Sequence, residues 1–242
     1  MSLSAQIRNI IKRLPNGKTF GYDDLRIPKE RYTSAAKALE RLQKEHLIKK
    51  VSKGVFYKPE KTVFGELEPD YNELLRPYLF ENGKRVAYET GITLYNRLGL
   101  TTQMAFRTKI ASRSKRINID RKALKADAVK SYAEVSDSNY AILGLLDAFK
   151  DIKRIPDSSV SQTIWRLSIV LKELTPNQIE SLIRYALLYP SRVRALVGAV
   201  LQNNRYQGKG LEKLKDSLNP LTIIKLDLEQ SELPTKNNWY IE

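Results

Sequence analysis

Cysteine is absent from this 242-residue chain and histidine occurs once. The first absence excludes disulfides, zinc fingers and thiol catalysis. The second makes any serine–histidine–aspartate triad or histidine acid–base chemistry depend on His46 alone. His46 stands between Glu45 and Leu47 at the end of a predicted helix, a position for a helix-ending residue, and it reads as structural. No Gly-rich phosphate loop ending in Gly-Lys-Ser/Thr occurs, which removes the P-loop nucleotide-binding motif. There is also no apolar run long enough to cross a bilayer, no hydrophobic leader at the start and no tandem repeat. These features predict a folded protein of the cytoplasm, with no membrane partner.

What the chain does have is positive charge, and it is unevenly spread. The formal net charge is +15. Residues 1–60 hold 14 Lys and Arg against 6 Asp and Glu, so about half of the excess lies in the first quarter of the chain. A local excess of this kind is the electrostatic footprint of a polyanion-binding module.

The same quarter carries an ordered set of structural signals. Residues 4–14 place Ile7, Ile10, Ile11 and Leu14 at helical spacing, and Pro15-Asn16-Gly17 stops that helix. A short element at 21–25 precedes a break at Pro28. A longer helix follows, with Ala35, Ala36, Leu39 and Leu42 on one face and its N-cap at Thr33 or nearer Lys29. Two β-type segments, 48–51 and 55–58, flank Ser52-Lys53-Gly54 and predict a hairpin. Together these read as a winged helix-turn-helix. Such a module needs cationic contacts to phosphate and a few side chains at the front of a helix that reach base edges. By position the base-reading candidates are Thr33, Ser34 and Lys37, followed by Arg41. Lys49, Lys50 and Lys53 would meet phosphate from the wing, and Arg31 and Tyr32 would anchor the start of the helix. A winged helix that docks proteins, with its lysines merely solvated, is the plainer reading of the same pattern.

Beyond residue 62 the character changes, and the expected division is a DNA-binding domain at 1–62 and a second domain at 63–242. Residues 64–70 read as a crossing between them. Residues 86–103 read as a helix closed by Gly99, and 106–119 as short β-like pieces. A second basic surface is drawn from Arg107, Lys109, Arg113, Lys115, Arg116, Arg121 and Lys122; it would extend a DNA footprint or grip RNA or an acidic protein, or simply guard a sheet edge. The remainder is mainly helical. Apolar stripes occur at 138–151 and 159–174, in a helix opened by the capping box Thr175-Pro176-Asn177-Gln178, and in another after Pro190. They read as core, without a cofactor. The tail offers two stretches, 221–228 and 239–241, that would add strands. The fold class is thus α+β, mostly helical: a winged helix-turn-helix followed by a larger helical domain with a few short strands.

Three segments taken in order carry a family resemblance: Ala38-Leu39-Glu40-Arg41-Leu42 through Val51-Ser52-Lys53-Gly54-Val55-Phe56-Tyr57; Leu98-Gly99-Leu100-Thr101-Thr102-Gln103; and Tyr189-Pro190-Ser191-Arg192-Val193-Arg194-Ala195-Leu196-Val197-Gly198. The chain resembles the AbiEi-type antitoxins of type IV, abortive-infection toxin-antitoxin systems. That resemblance implies a non-enzymatic antitoxin whose winged helix represses its own operon by binding double-stranded operator DNA. Its second domain would counter a partner toxin of the nucleotidyltransferase class. Two positions depart from the family pattern: His46 replaces a more usual glycine, and Met104-Ala105 replaces a proline-containing segment. The rivals are a winged-helix regulator with an effector-binding or dimerisation domain and no toxin, and a metal-dependent nuclease using Asp70, Asp151 and Lys153, whose Asp-x-Lys spacing sits at a helix end.

Overall fold

In the computed structural model, residues 2–121 and 124–242 are described; Lys122, counted in the second basic surface, lies outside the described residues. The chain is α+β and mostly helical. It divides into two compact units, Met1–Lys84 and Arg85–Glu242.

The first unit opens with helix α1 (Leu3–Arg13), capped by the Ser2 hydroxyl, which accepts from the Ala5 N–H. Ile7 and Ile11 are buried, and Ile10 and Leu14 lie at the rim of the same core. Strand β1 (Thr19–Phe20) follows. The element expected at 21–25 is a turn, closed by the Gly21 N–H on the Asp24 carboxylate at 2.8 Å, and it plugs Leu25 and Ile27 into the core. A single 3-10 turn, Lys29–Arg31, then runs into helix α2 (Tyr32–Lys44). The N-cap is Arg31, with no side-chain cap, so Thr33 is inside the first turn and caps nothing. The buried stripe of α2 is Ala35, Ala38, Leu39 and Leu42. Ala36, assigned to that stripe from sequence, is exposed; at 100° per residue it points well away from the other three.

Helix α2 ends as the lone histidine suggested. His46 takes φ +56°. Its N–H donates to the Gln43 carbonyl at 3.0 Å and the Leu47 N–H to the Leu42 carbonyl at 3.0 Å, the paired bonds of a Schellman motif. The chain leaves into β2 (Lys49–Ser52) and β3 (Val55–Tyr57), which meet at Lys53-Gly54; Gly54 has φ +75°, a region that strains any residue with a Cβ. The sheet order is β1-β3-β2, with Phe20 opposite Phe56 and Phe56 opposite Lys50. Helix, strand, turn, helix and hairpin in this order, with the strands antiparallel, form a winged helix-turn-helix. Its core buries at least six Ile, Leu and Phe side chains, each contributing about 1.5–3 kcal/mol.

The unit does not stop at residue 62. A hairpin of β4 (Glu60–Thr62) and β5 (Gly65–Leu67) follows, and Val63 and Phe64 project from its tip, 94% and 97% exposed. The crossing expected at 64–70 is therefore half hairpin and half helix cap. Asp70 caps helix α3 (Tyr71–Leu79), accepting from the Glu73 N–H at 2.9 Å. Glu73 in turn receives the Thr19 N–H at 2.9 Å, and the Arg76 guanidinium donates to the Thr19 carbonyl at 3.2 Å. These bonds fasten α3 onto edge strand β1, and a short hairpin of β6 (Phe80–Glu81) and β7 (Lys84–Arg85) marks the division.

The second unit starts with β8 (Ala87–Thr90), where a helix was expected; only the middle of that stretch is helical, as α4 (Ile92–Arg97). All four residues of β8 are buried, so the strand shows no alternation of apolar and polar residues. Strands β9 (Thr108–Ser112), β10 (Ile119–Asp120) and β11 (Lys125–Lys130) complete a sheet of order β10-β11-β9-β8, with β9 and β11 parallel and the other pairs antiparallel. Residues 113–118 were expected to be β-like and carry no strand.

Helices α5 (Tyr140–Lys150), α6 (Val160–Lys172), α7 (Pro176–Ala186) and α8 (Ser191–Asn203) follow the expected stripes, and the Thr175–Gln178 capping box forms in both directions. Helix α9 (Lys209–Asp216) was not anticipated. The tail supplies one parallel bridge, Ile224 to Ile241, instead of two strands, and returns Trp239 and Ile241 to the core. Trp239 packs on α8 at Gly198, where a Cβ would come within 2.1 Å of the indole, and its Nε1 donates to Gln202 at 2.7 Å.

Asp147 on α5 is the buried polar centre of this unit. Its carboxylate accepts from the Tyr88 hydroxyl at 2.9 Å, the Thr90 hydroxyl at 2.8 Å and the Lys150 ammonium at 3.0 Å, with the Tyr189 hydroxyl at 3.2 Å. The Tyr95 hydroxyl sits 3.1 Å from its carbonyl and 2.8 Å from the Asp151 carboxylate. Burial, and then the nearby carboxylates, raise all three phenols well above the ordinary tyrosine range, so they remain donors at any working pH. Removing the acceptor strands several buried donors at once. We expect Asp147→Ala to cost the second unit about 3 kcal/mol and Asp147→Asn clearly less. Both tryptophans, Trp165 and Trp239, belong to this unit, so urea unfolding followed by their fluorescence reads it directly. A loss under about 1 kcal/mol for the alanine variant would contradict a supporting role for the network.

Candidate nucleic-acid interface

The exposed side of α2 is the surface opposite its buried stripe. Taking 100° per residue, Thr33, Lys37, Glu40 and Lys44 point directly away from the core, with Ser34 and Arg41 on one flank. Thr33, Ser34, Lys37 and Arg41 are all exposed. The four expected base-reading positions thus share one accessible face. Sequence reasoning omitted Glu40, which borders that face on the Thr33 side and pairs with Lys44 at 3.1 Å, removing one cation from the helix surface.

The start of the helix divides two expected anchors. Arg31 is exposed and makes no cap bond. Tyr32 is turned back into the fold: its ring stacks on Tyr22 at 4.7 Å, and its hydroxyl donates to Asp23 at 3.2 Å. Tyr32 therefore fixes α2 against the preceding turn, with its hydroxyl engaged by Asp23.

The wing also loses one candidate. Lys50 and Lys53 are exposed, Lys53 at the turn. Lys49 is instead paired with Glu66 of β5, which ties the second hairpin to the wing. That hydrogen bond raises the Lys49 pKa and lowers that of Glu66. The correction is one of charge: Lys49 cannot count in full toward a phosphate-binding surface while Glu66 neutralises it. The surface that remains is Thr33, Ser34, Lys37 and Arg41 on the helix, with Lys50 and Lys53 on the hairpin.

The second basic surface divides in the same way. Arg107 is held by Asp127 in a two-bond fork at 2.9 and 3.0 Å, and reaches Asp120 at 3.3 Å. Lys109, Arg113, Lys115, Arg116 and Arg121 are exposed. The two acids and the lysine weighed for a nuclease already have partners: Asp70 caps α3, Asp151 faces the Tyr95 hydroxyl, and Lys153 lies 3.7 Å from Asp227.

A family of unknown function, DUF6088, matches residues 6–179. The chain belongs to DUF6088. The DUF6088 match takes in the winged helix, the four-stranded sheet and the helices as far as the first turn of α7. No curated protein matches the chain. Among solved structures, the crystal structure of RV2827C protein from Mycobacterium tuberculosis is similar at TM-score 0.54 and 12% identity, covering 100% of this chain and 91% of that chain. At that identity the likeness is one of fold alone. Among the described residues no helix is long and apolar enough to cross a membrane.

The Lys49–Glu66 pair gives a pH prediction. Glu66 has a folded pKa below its unfolded value, so the pair's stabilisation is present above the unfolded carboxylate pKa and is lost as pH falls through the lowered one. NMR titration of the side-chain carboxyl should place the Glu66 midpoint below that of an ordinary glutamate. Lys49→Ala should move it upward, and an unmoved midpoint would show that the pair does not persist in solution.

Proposed function

We propose that this protein is an antitoxin of a type IV toxin-antitoxin system that also acts as a DNA-binding transcriptional autorepressor in the bacterial cytoplasm. It is a binding protein and not an enzyme. One observation supports the DNA-binding half most strongly: Thr33, Ser34, Lys37 and Arg41 share the outward face of α2, while Lys50 and Lys53 are exposed on the adjoining wing. In this reading α2 enters the major groove of double-stranded operator DNA, its exposed front selects bases, and the wing lysines neutralise phosphate. The antitoxin half rests on the ordered resemblance to AbiEi-type proteins, and its partner is a nucleotidyltransferase-type toxin.

Roles on the DNA separate by salt dependence. Replacing Lys53 with alanine should weaken binding to operator and random duplex alike and reduce the salt slope by about 1. Lys37→Ala should weaken the operator complex preferentially. Fluorescence anisotropy over a salt series checks both, and equal losses on the two duplexes for both variants would remove the assignment.

The two halves separate in cells. When the chain is co-expressed with the nucleotidyltransferase encoded beside it, full-length Lys37→Ala should restore growth as well as the native chain does, while no longer repressing an operator reporter. A neighbour that is not toxic would leave a winged-helix regulator that answers to another signal.

A further inference from the structure

The second unit presents a cationic strip whose lysines are not where edge protection would put them. The edges of its sheet are β8 and β10. Lys109 stands on β9 and Lys125 on β11, both interior strands. Guarding an edge against strand addition therefore does not account for them. Lys109 pairs in register with Asp127, and Lys125 lies two residues before Asp127 on the same strand, so all three project from one face of the sheet. Asp127 and Asp120 are the only carboxylates between residues 104 and 130, and Arg107 engages both. The described residues of that stretch hold eight Lys and Arg against these two acids.

An aromatic ring stands at the same end of the sheet. Phe106 is 82% exposed, two residues before β9. The Lys125 ammonium lies 4.7 Å from its ring centroid. A ring flanked by an ammonium and otherwise open to solvent meets two requirements of single-stranded nucleic acid at one point: a π-face on which a base can stack, and a cation for the adjoining phosphate. Duplex DNA keeps its bases stacked on one another and has no use for such a ring, and an acidic protein needs only the charge.

We propose that the sheet face formed by Phe106, Lys109 and Lys125 is a binding surface for single-stranded nucleic acid, with Phe106 as the stacking platform. This is independent of operator recognition by the first unit. The test uses the full-length chain carrying Lys37→Ala and Lys53→Ala, to suppress binding by the winged helix. Anisotropy is measured on labelled oligouridylate, oligothymidylate and a random duplex, with polyglutamate as competitor. Phe106→Ala should weaken binding to the single strands about tenfold and leave the duplex within about twofold, while Phe106→Tyr retains native binding. A stronger effect on oligouridylate assigns RNA and on oligothymidylate assigns DNA; either supports the platform. A change below twofold on both strands, equal loss on the duplex, or displacement by polyglutamate as effective as by oligouridylate overturns it. Because Phe106 is exposed, its replacement does not threaten the fold. The Lys37 and Lys53 variants alone, tested on operator duplex, judge the DNA-binding reading separately.

Discussion

Much of the second unit is organised around one buried anion. Asp147 is 2% exposed, and a carboxylate so placed is tolerated only where donors surround it. Those donors come from β8, from the residue before Pro190 and from α5 itself. The carboxylate thereby locks a strand to the helices behind it. Since β9 pairs with β8 and β11 with β9, the position of Lys109 and Lys125 on the two inner strands follows from an interaction made inside. A leucine at 147 would fit the apolar run of α5 better by hydropathy, but it would leave Tyr88 and Thr90 without an acceptor.

The first unit distributes charge by a different device. Its cations are numerous, yet acids placed beside some of them reduce the effective surface. Glu40 partners Lys44, Glu45 partners Arg8 at 2.6 Å, and Glu66 partners Lys49. Exposed pairs of this kind contribute little to stability. What they change is the field, by offsetting the charges of Arg8, Lys44 and Lys49.

How much of this was legible in the sequence depends on which signal each element carries. The stripes of α1, α5, α6, α7 and α8 repeat at helical spacing and were readable, as were the capping box at Thr175 and the helix-ending place of His46. Ala36 and Ala38 were exchanged because alanines carry little apolar contrast. Strand β8 was read as helix because all four of its side chains are buried, and burial on both faces erases the period of two. Read from sequence, the first domain ends at residue 62, and the structure ends the first unit at Lys84, because the bonds that hold α3 to β1 run from Glu73 and Arg76 to Thr19, more than fifty residues apart and with no local mark. At the candidate interface, position along the helix found Thr33, Ser34, Lys37 and Arg41. It could not show that Lys49 and Arg107 have acidic partners across a fold, nor that Phe106 stands open beside Lys125.

The return of Trp239 and Ile241 to the core sets a timetable for the nascent chain. The first unit closes on itself by residue 84, whereas the second lacks its packing against α8 until residue 241 has been made. At roughly 5–20 residues per second, the winged helix is complete on the order of ten to thirty seconds before its companion unit. Throughout that interval the ribosome carries a finished, strongly cationic module joined to a chain whose apolar helices are still waiting for their last pieces. The packing of Trp239 makes the second unit the later of the two to have all its residues available.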